Sequence, residues 1–294
     1  MENMSIQSNI HLKVKVYWPL IKSLQTGLLL MTGFTGFISS SCPVMNWRMT
    51  LGLLGSLFLT VSGSTILNMV YDRDIDSRMK RTVHRPLPSG QINANEALLL
   101  GLTVSLLGLG WAYILMPLYA LVVFGGLFID VVIYTIWLKR RTAWSIVWGG
   151  ISGGMPILAG RVLGTGRIDD IGLLFMLAIL LWIPTHILTF SMRYNEDYQR
   201  AGVPTFPSQY GIVPTRLIIA LSSVGAALAI GVGIYALGLS WGYLRLLAVL
   251  TSGLLGLAIV SIFRPSEKIN FGLFKYASVF MLGSMIMVVI GAMP

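Results

Sequence analysis

Asn68, Asp72 and Asp76 recur every four residues at the end of an apolar run. On an α-helix each such step advances roughly 40° around the axis and roughly 6 Å along it, so the three side chains form a short polar ladder on one face. Asp74 falls about 200° from Asp72 and points elsewhere while the helix continues. Two carboxylates at i and i+4 destabilise a helix unless something neutralises them. A divalent cation is the natural candidate. Mg²⁺ prefers hard oxygen ligands and usually takes one or two carboxylates, with phosphate and water filling its octahedron. Such an arrangement binds a diphosphate through the metal and withdraws charge from it as it leaves. The alternative is a solvated helix end in which Asp72, Asp74 and Asp76 pair with Arg73, Arg78 and Lys80.

The residues that follow extend the same chemistry. Arg81 and Arg85 suit diphosphate oxygens through their planar, bidentate guanidinium groups, against a role in membrane anchoring alone. Pro86, Pro88 and Gly90 mark a rigid turn. Within later apolar runs stand Asp130, with Tyr134 on the same face two turns before Lys139, and His186, two turns before a second polar stretch. An ionisable group inside a membrane segment points to a lined cavity, with a hydrogen bond to a neighbouring helix as the alternative. Lys139, Arg140 and Arg141 are the strongest orientation signal in the chain, and Lys139 and Arg140 are the two best placed to reach a diphosphate. The second polar stretch, from Arg193 to Pro204, carries Tyr194, Asp197 and Tyr198; Arg193 and Asp197 stand at the spacing of a helical ion pair. No Ser-His or Cys-His arrangement offers a protein nucleophile, and the 15 methionines read as packing material.

The elements that must position these groups lie in a bilayer. Of 294 residues 55% are hydrophobic and 11% charged, against about 25% charged in soluble domains. Apolar runs long enough to cross the hydrocarbon cover approximately 18–39, 49–71, 95–113, 117–137, 143–163, 171–192, 214–237, 242–263 and 271–292. The expected fold is an all-α bundle of nine transmembrane helices around a cavity open to the cytoplasm, a single domain over 1–294 with residues 1–17 as an N-terminal tail.

The net charge of +10 sits in short loops, a pattern of orientation signals and not of nucleic-acid binding. The tail (counting Lys13, Lys15 and Lys22) and alternate loops hold 16 of the 21 Lys and Arg residues. By the positive-inside rule this set is cytoplasmic, which puts the N-terminus in and the C-terminus out. Cys42 stands alone, so an intramolecular disulfide is excluded. Asn93 and Glu96 match a capping box at the start of the third span. The two richest loops, 68–90 and 194–211, follow spans 2 and 6, as expected if two four-helix halves each supply one rim of a shared site.

The run Asn68-x₃-Asp72-x₃-Asp76-x₂-Met79-x-Arg81-Thr82-x₂-Arg85-Pro86-Leu87-x₂-Gly90 resembles the first aspartate-rich motif of the UbiA superfamily of intramembrane prenyltransferases. Its continuation from Met79 to Leu87 is similar to the branch that farnesylates protohaem IX. Tyr134 to Thr142, the glycine-rich Gly149 to Pro156, and Arg193 to Pro204 resemble further segments of that branch. Three places depart from its pattern: Trp182-Ile-Pro-Thr-His186 lacks a Gln and shifts a Pro, Ser145 replaces an Asn, and Met155-Pro156 replaces a Pro-Pro pair.

The resemblance implies Mg²⁺ held on a diphosphate by Asn68, Asp72 and Asp76 from one side and Asp197 from the other. Arg81, Arg85 and Lys139 would aid departure of pyrophosphate. Tyr134, Arg140, Asp130, His186, Tyr194 and Tyr198 would contact substrate. It implies farnesyl diphosphate as donor, haem as a lipophilic acceptor and substrate, and membrane lipid as surroundings. Hand-over of product to respiratory-oxidase assembly factors stays open. A quinone precursor, a chlorin or a glycerol phosphate are the alternative acceptors. A transporter is the rival of another class, and it would be expected to carry its charges near the midplane and not at the rim.

Overall fold

A computed structural model describes residues 16–40 and 46–293. Lys13 and Lys15 of the tail, and Cys42, lie outside the described residues. Among the described residues all regular structure is helical. A short apolar helix, α1 (Ser23–Ile38), is followed by eight helices long and apolar enough to cross a membrane. These are α2 (Trp47–Arg78), α3 (Ala94–Leu115), α4 (Pro117–Leu138), α5 (Ser145–Thr165), α6 (Asp170–Arg193), α7 (Ile212–Ala236), α8 (Trp241–Phe263) and α9 (Glu267–Ala292). The chain is a multi-pass integral membrane protein.

Eight spanning helices and one shorter apolar helix stand where nine spans were expected. The first is cut short by its own sequence. Pro19 opens a 3₁₀ turn over Trp18–Ile21, and Lys22 then takes a left-handed conformation (φ 45°), so α1 keeps only 16 residues. The second is longer than its apolar run, extending to Arg78 so that the acidic ladder stands on its last turns.

The helices form two neighbouring groups. In the first, α2 packs on α3, α3 on α4, α4 on α5, and α1 on both α2 and α5. In the second, α6 packs on α7, α7 on α8, α8 on α9, and α9 returns to α6. Contacts of α5 with α6 and of α9 with α1 join the groups. Large apolar side chains such as Leu99, Leu106, Leu107 and Ile114 on α3, and Leu221, Leu228 and Val232 on α7, face outward, where only lipid can cover them. Inward, several hydroxyls satisfy one another, as between Ser56 and Tyr119 (2.8 Å) and between Thr185 and Ser223 (2.8 Å).

The α1–α5 crossing is close because glycines meet there. A Cβ on Gly36 would stand 1.9 Å from the Ile157 carbonyl oxygen, and one on Gly160 would stand 1.8 Å from that of Gly33. Beside this crossing the buried Arg161 of α5 binds Asp169 (2.7 Å) and donates to the Ser39 carbonyl (2.6 Å). Burial alone would raise the Asp169 pKa, but the bonds from Arg161 and the Gly172 N–H outweigh it and hold the carboxyl below its usual range. Arg161 therefore clamps the ends of α1, α5 and α6 in place of serving as a loop charge. At the start of α3, Asn93 caps the helix by accepting from the Asn95 N–H (2.9 Å). Glu96 does not complete the expected capping box; its carboxylate accepts the Tyr17 hydroxyl, which brings the N-terminal segment onto α3.

Gly160→Ala is expected to force α1 and α5 apart at the expense of about 3 kcal/mol or more. Thermal unfolding in detergent should show a lowered midpoint, and an unchanged one would mean that the crossing tolerates separation.

Candidate functional site

At the mouth of the bundle the three ladder residues share one face of α2, as their spacing predicted. Asp72 and Asp76 are buried, while Asp74 is exposed on the other side. Arg73, Arg78 and Lys80, the partners under the alternative of a solvated helix end, take no part. Asp72 instead accepts from Lys139, and Asp76 from Arg85 at 2.7 Å. Asp74 holds Arg140 in a bidentate grip at 2.7 and 2.8 Å, and the same guanidinium donates to the Tyr71 carbonyl. Arg140 thus ties α4 to the outer face of α2 and is turned away from the ladder, unlike the substrate contact expected of it. All three acidic side chains are neutralised by cations brought from elsewhere in the sequence.

Lys139 reaches Asp72 because α4 changes its winding. From Ile129 to Leu138 the helix is a π-helix, and the Lys139 N–H to Tyr134 carbonyl bond (2.8 Å) closes over five residues. This winding aligns Asp130, Thr135 and Lys139 along α2. The Asp130 carboxylate accepts from Ser64 and from the Asn68 amide (2.9 Å), and Thr135 donates to the Asn68 amide oxygen (2.7 Å). Asn68 is therefore oriented by Asp130 and Thr135, with one lone pair of its oxygen uncommitted. Tyr134 sits beside the Lys139 ammonium, 5.7 Å from its ring centroid.

The second polar stretch closes the mouth from the other group of helices. Tyr194 ends α6, and a short helix over Asn195–Arg200 buries Asp197 in its first turn. Tyr198, Ala201 and Val203 pack on Ile75 and Met79, so the two rich loops meet as their spacing suggested. Arg193 does not pair with Asp197. It lies over the Phe271 ring (4.0 Å) with Glu267 at 3.9 Å. Arg81 stays apart from the ladder, crossing to the rings of Phe190 (5.0 Å) and Tyr194 (5.5 Å). His186 is stacked between Trp182 and Phe274, at 4.9 and 4.4 Å, with Ser278 3.3 Å from its Nδ1.

The donor set suits a hard cation. The Oδ1 atoms of Asp72 and Asn195 are buried and without a hydrogen-bond partner. Among the described residues no three His, Cys, Asp or Glu side chains come together as a metal-holding group. Three residues here were not singled out from the sequence. Asn195 stands beside the acidic pair Glu196 and Asp197. Thr135 falls off the Asp130 face in α-helical counting. Lys22 read as a tail charge; burial and the like charges of Arg85 and Lys139 push its pKa down to about 8. For Lys22 and Thr135 the sequence carries no local signal.

Lys139→Met would leave Asp72 buried without its cation, at the expense of about 3–5 kcal/mol. The unfolding midpoint should fall, and adding Asp72→Asn should recover most of the loss. A variant as stable as the parent would show that the pair is not what neutralises Asp72.

Comparison with known proteins gives this arrangement a context. Residues 29–281 match the UbiA prenyltransferase family. The protoheme IX farnesyltransferase of Desulforudis audaxviator is 36% identical over 269 residues, 90% of this chain and 84% of its own length. That of Pyrobaculum islandicum is 36% identical over 261 residues, 88% of this chain and 92% of its own. A structure of digeranylgeranylglyceryl phosphate synthase shares the fold with a TM-score of 0.79 at 21% identity, over 95% of this chain and 98% of that one. A UbiA homolog from Archaeoglobus fulgidus bound to DMAPP and Mg²⁺ does so with a TM-score of 0.69 at 16% identity, over 93% and 99%. The match along most of its length, at these identities and with this fold, makes the chain a member of the UbiA prenyltransferase family.

Proposed function

We propose that this chain, acting as a single transmembrane unit, transfers a farnesyl group from farnesyl diphosphate to a vinyl group of protohaem IX. The observation that carries the reading is a pair of buried carboxylates matched to Lys139 and Arg85 at the bundle mouth, in a chain whose relatives are protoheme IX farnesyltransferases. Asp72, Asp76 and Asp197, with Asn68 beside them, are the residues assigned to Mg²⁺; the unpartnered Oδ1 of Asp72 supports this. When bound, the ion supplies Lewis-acid withdrawal of charge from the leaving pyrophosphate.

Lys139, Arg85 and Arg81, joined by Lys22, donate to the diphosphate oxygens and stabilise the charge that grows as the C1–O bond breaks. Tyr134, Tyr194 and Tyr198 line the mouth around that group. The allylic carbon bonds to the vinyl carbon. Water then adds to the cation left beside the macrocycle and sheds a proton, giving a hydroxyfarnesylethyl side chain. Asp130 and His186 belong to the wall below the diphosphate, and the apolar bundle keeps bulk water from the allylic cation.

The test is mass spectrometry of products from protein in lipid nanodiscs supplied with farnesyl diphosphate, Mg²⁺ and protohaem. A hydroxyfarnesylated haem is expected, with the rate lowered about 100-fold or more in Asp72→Asn and product absent without metal. Unmodified haem beside a prenylated quinone precursor or glycerol phosphate would keep the reaction class and replace the acceptor.

The charge distribution supports a cytoplasmic N-terminus and an outward C-terminus. In a Cys42→Ser background, Ser89→Cys should be shielded from an impermeant maleimide in intact cells and Ser240→Cys should react. The opposite pattern would invert the orientation.

A further inference from the structure

A column of aromatic side chains runs down the seam between α6 and α9. Trp182 stacks on His186 (4.9 Å), His186 on Phe274 (4.4 Å), and Phe274 on Phe271 (5.8 Å) and against Phe190 (5.8 Å). Each of these rings is half-buried, leaving part of its surface uncovered. Arg81, which comes from the α2–α3 loop, covers Phe190, whereas the more exposed apolar residues of α6 are Leu173, Leu177 and Ile187.

The cytoplasmic end of the column is cationic. Arg193 and Lys275 both lie over the Phe271 ring, 4.0 and 4.7 Å from its centroid. Arg81 stands at the same end, between the column and the ladder. Arg81 and Lys275 enter no ion pair among the described residues, and Arg193 has only Glu267 at 3.9 Å. Cations held on ring faces with little carboxylate of their own are free to take an anionic partner.

We propose that this column is the dock for the acceptor, a flat aromatic macrocycle carrying two carboxylates on one edge, with Arg193 and Lys275 as the carboxylate clamp. The inference rests on the haem reading above and assigns that substrate its place. The half-buried rings along the seam offer an aromatic, apolar edge to a flat macrocycle, and two cations held on one ring match two carboxylates on one edge. An isoprenoid tail has no use for the cations, and the metal ladder lies on the opposite wall. His186 lies seven residues before Arg193, roughly 10 Å deeper along the helix. With its carboxylates at the rim, the macrocycle carries its vinyl edge inward along the bundle, below the diphosphate.

The test titrates ferric protohaem and its dimethyl ester into the protein in nanodiscs, reading the Soret band and tryptophan quenching, and measures farnesyl thiodiphosphate binding in parallel. Wild type should prefer the free acid by about tenfold or more. Arg193→Gln with Lys275→Gln should abolish that preference while thiodiphosphate binding stays unchanged. These two positions are exposed, so the thiodiphosphate arm reports an intact fold. Phe274→Leu should weaken both forms of haem alike. A double variant that keeps the wild-type preference would overturn the clamp, and an unaffected Phe274→Leu would overturn the column, while the haem reading survived through product formation. If wild type binds thiodiphosphate but neither form of haem, the haem reading itself falls, and this dock with it.

Discussion

Two carboxylates one turn apart on a helix that leaves a hydrocarbon bundle cannot both stay ionised without cations beside them. The pairing of Asp72 with Lys139 and Asp76 with Arg85 answers this, and most of the mouth is arranged around it. Lys139 has to arrive from α4, which fixes the approach of α4 to α2. Arg85 has to return from the loop after α2, and that return is held by Thr82, whose hydroxyl donates to the Asp76 carbonyl at 2.9 Å. Arg140 and Asp74 repeat the pairing on the outer face. With nearer basic residues left in solvent, the long-range partners bind two helices and a loop into one rigid rim.

The same demand for satisfaction continues inward. Asp130 has no cation in contact, yet its carboxylate accepts from Ser64 and Asn68, and Ser152 stands 3.5 Å away. In a medium without water such a group needs a full set of donors. The π segment supplies it by setting Asp130 and Thr135 on either side of Asn68. The ladder is thus held from below by neutral hydrogen bonds and from above by ion pairs. Metal and diphosphate, under the proposed reaction, enter as opposite charges. Carboxylates released to the one and cations released to the other would leave the net charge of the rim nearly unchanged, so neither partner need be stranded while the exchange occurs.

Much of this was legible in the residues. A spacing of four placed Asn68, Asp72 and Asp76 together and turned Asp74 away, because α2 stays regular to its end. The apolar runs located the helices, since length and composition alone decide what spans a bilayer. What escaped was set by tertiary contact. Ile129 to Leu138 reads as ordinary apolar helix, and its π winding depends on α2 being there to receive Asp130, Thr135 and Lys139. Lys22 looks like a tail charge, and only its left-handed backbone and the approach of Arg85 and Lys139 mark it as part of the mouth. Arg193 and Asp197 stand at the spacing whose alternative reading was an ion pair, and the chain breaks its helix at Tyr194 between them, so they diverge. Glu96 was drawn from its capping box by Tyr17, a partner 79 residues away.

The division of the bundle into two groups gives the proposed chemistry its geometry. One wall, α2 with α4, carries carboxylates, cations and amide groups suited to a diphosphate. The other, α6 with α9, carries aromatic rings and a cationic rim suited to a flat acidic acceptor. Bond formation between two substrates needs them fixed relative to each other, and walls that moved independently would forfeit that advantage. The contacts of Ile75 and Met79 with Tyr198, Ala201 and Val203 join the rims. Arg81 adds a second tie, since it belongs to the loop that presents Arg85 yet rests on Phe190 and Tyr194 of the other wall. A displacement of the donor loop therefore carries the top of the acceptor column with it, and the two binding surfaces keep one register.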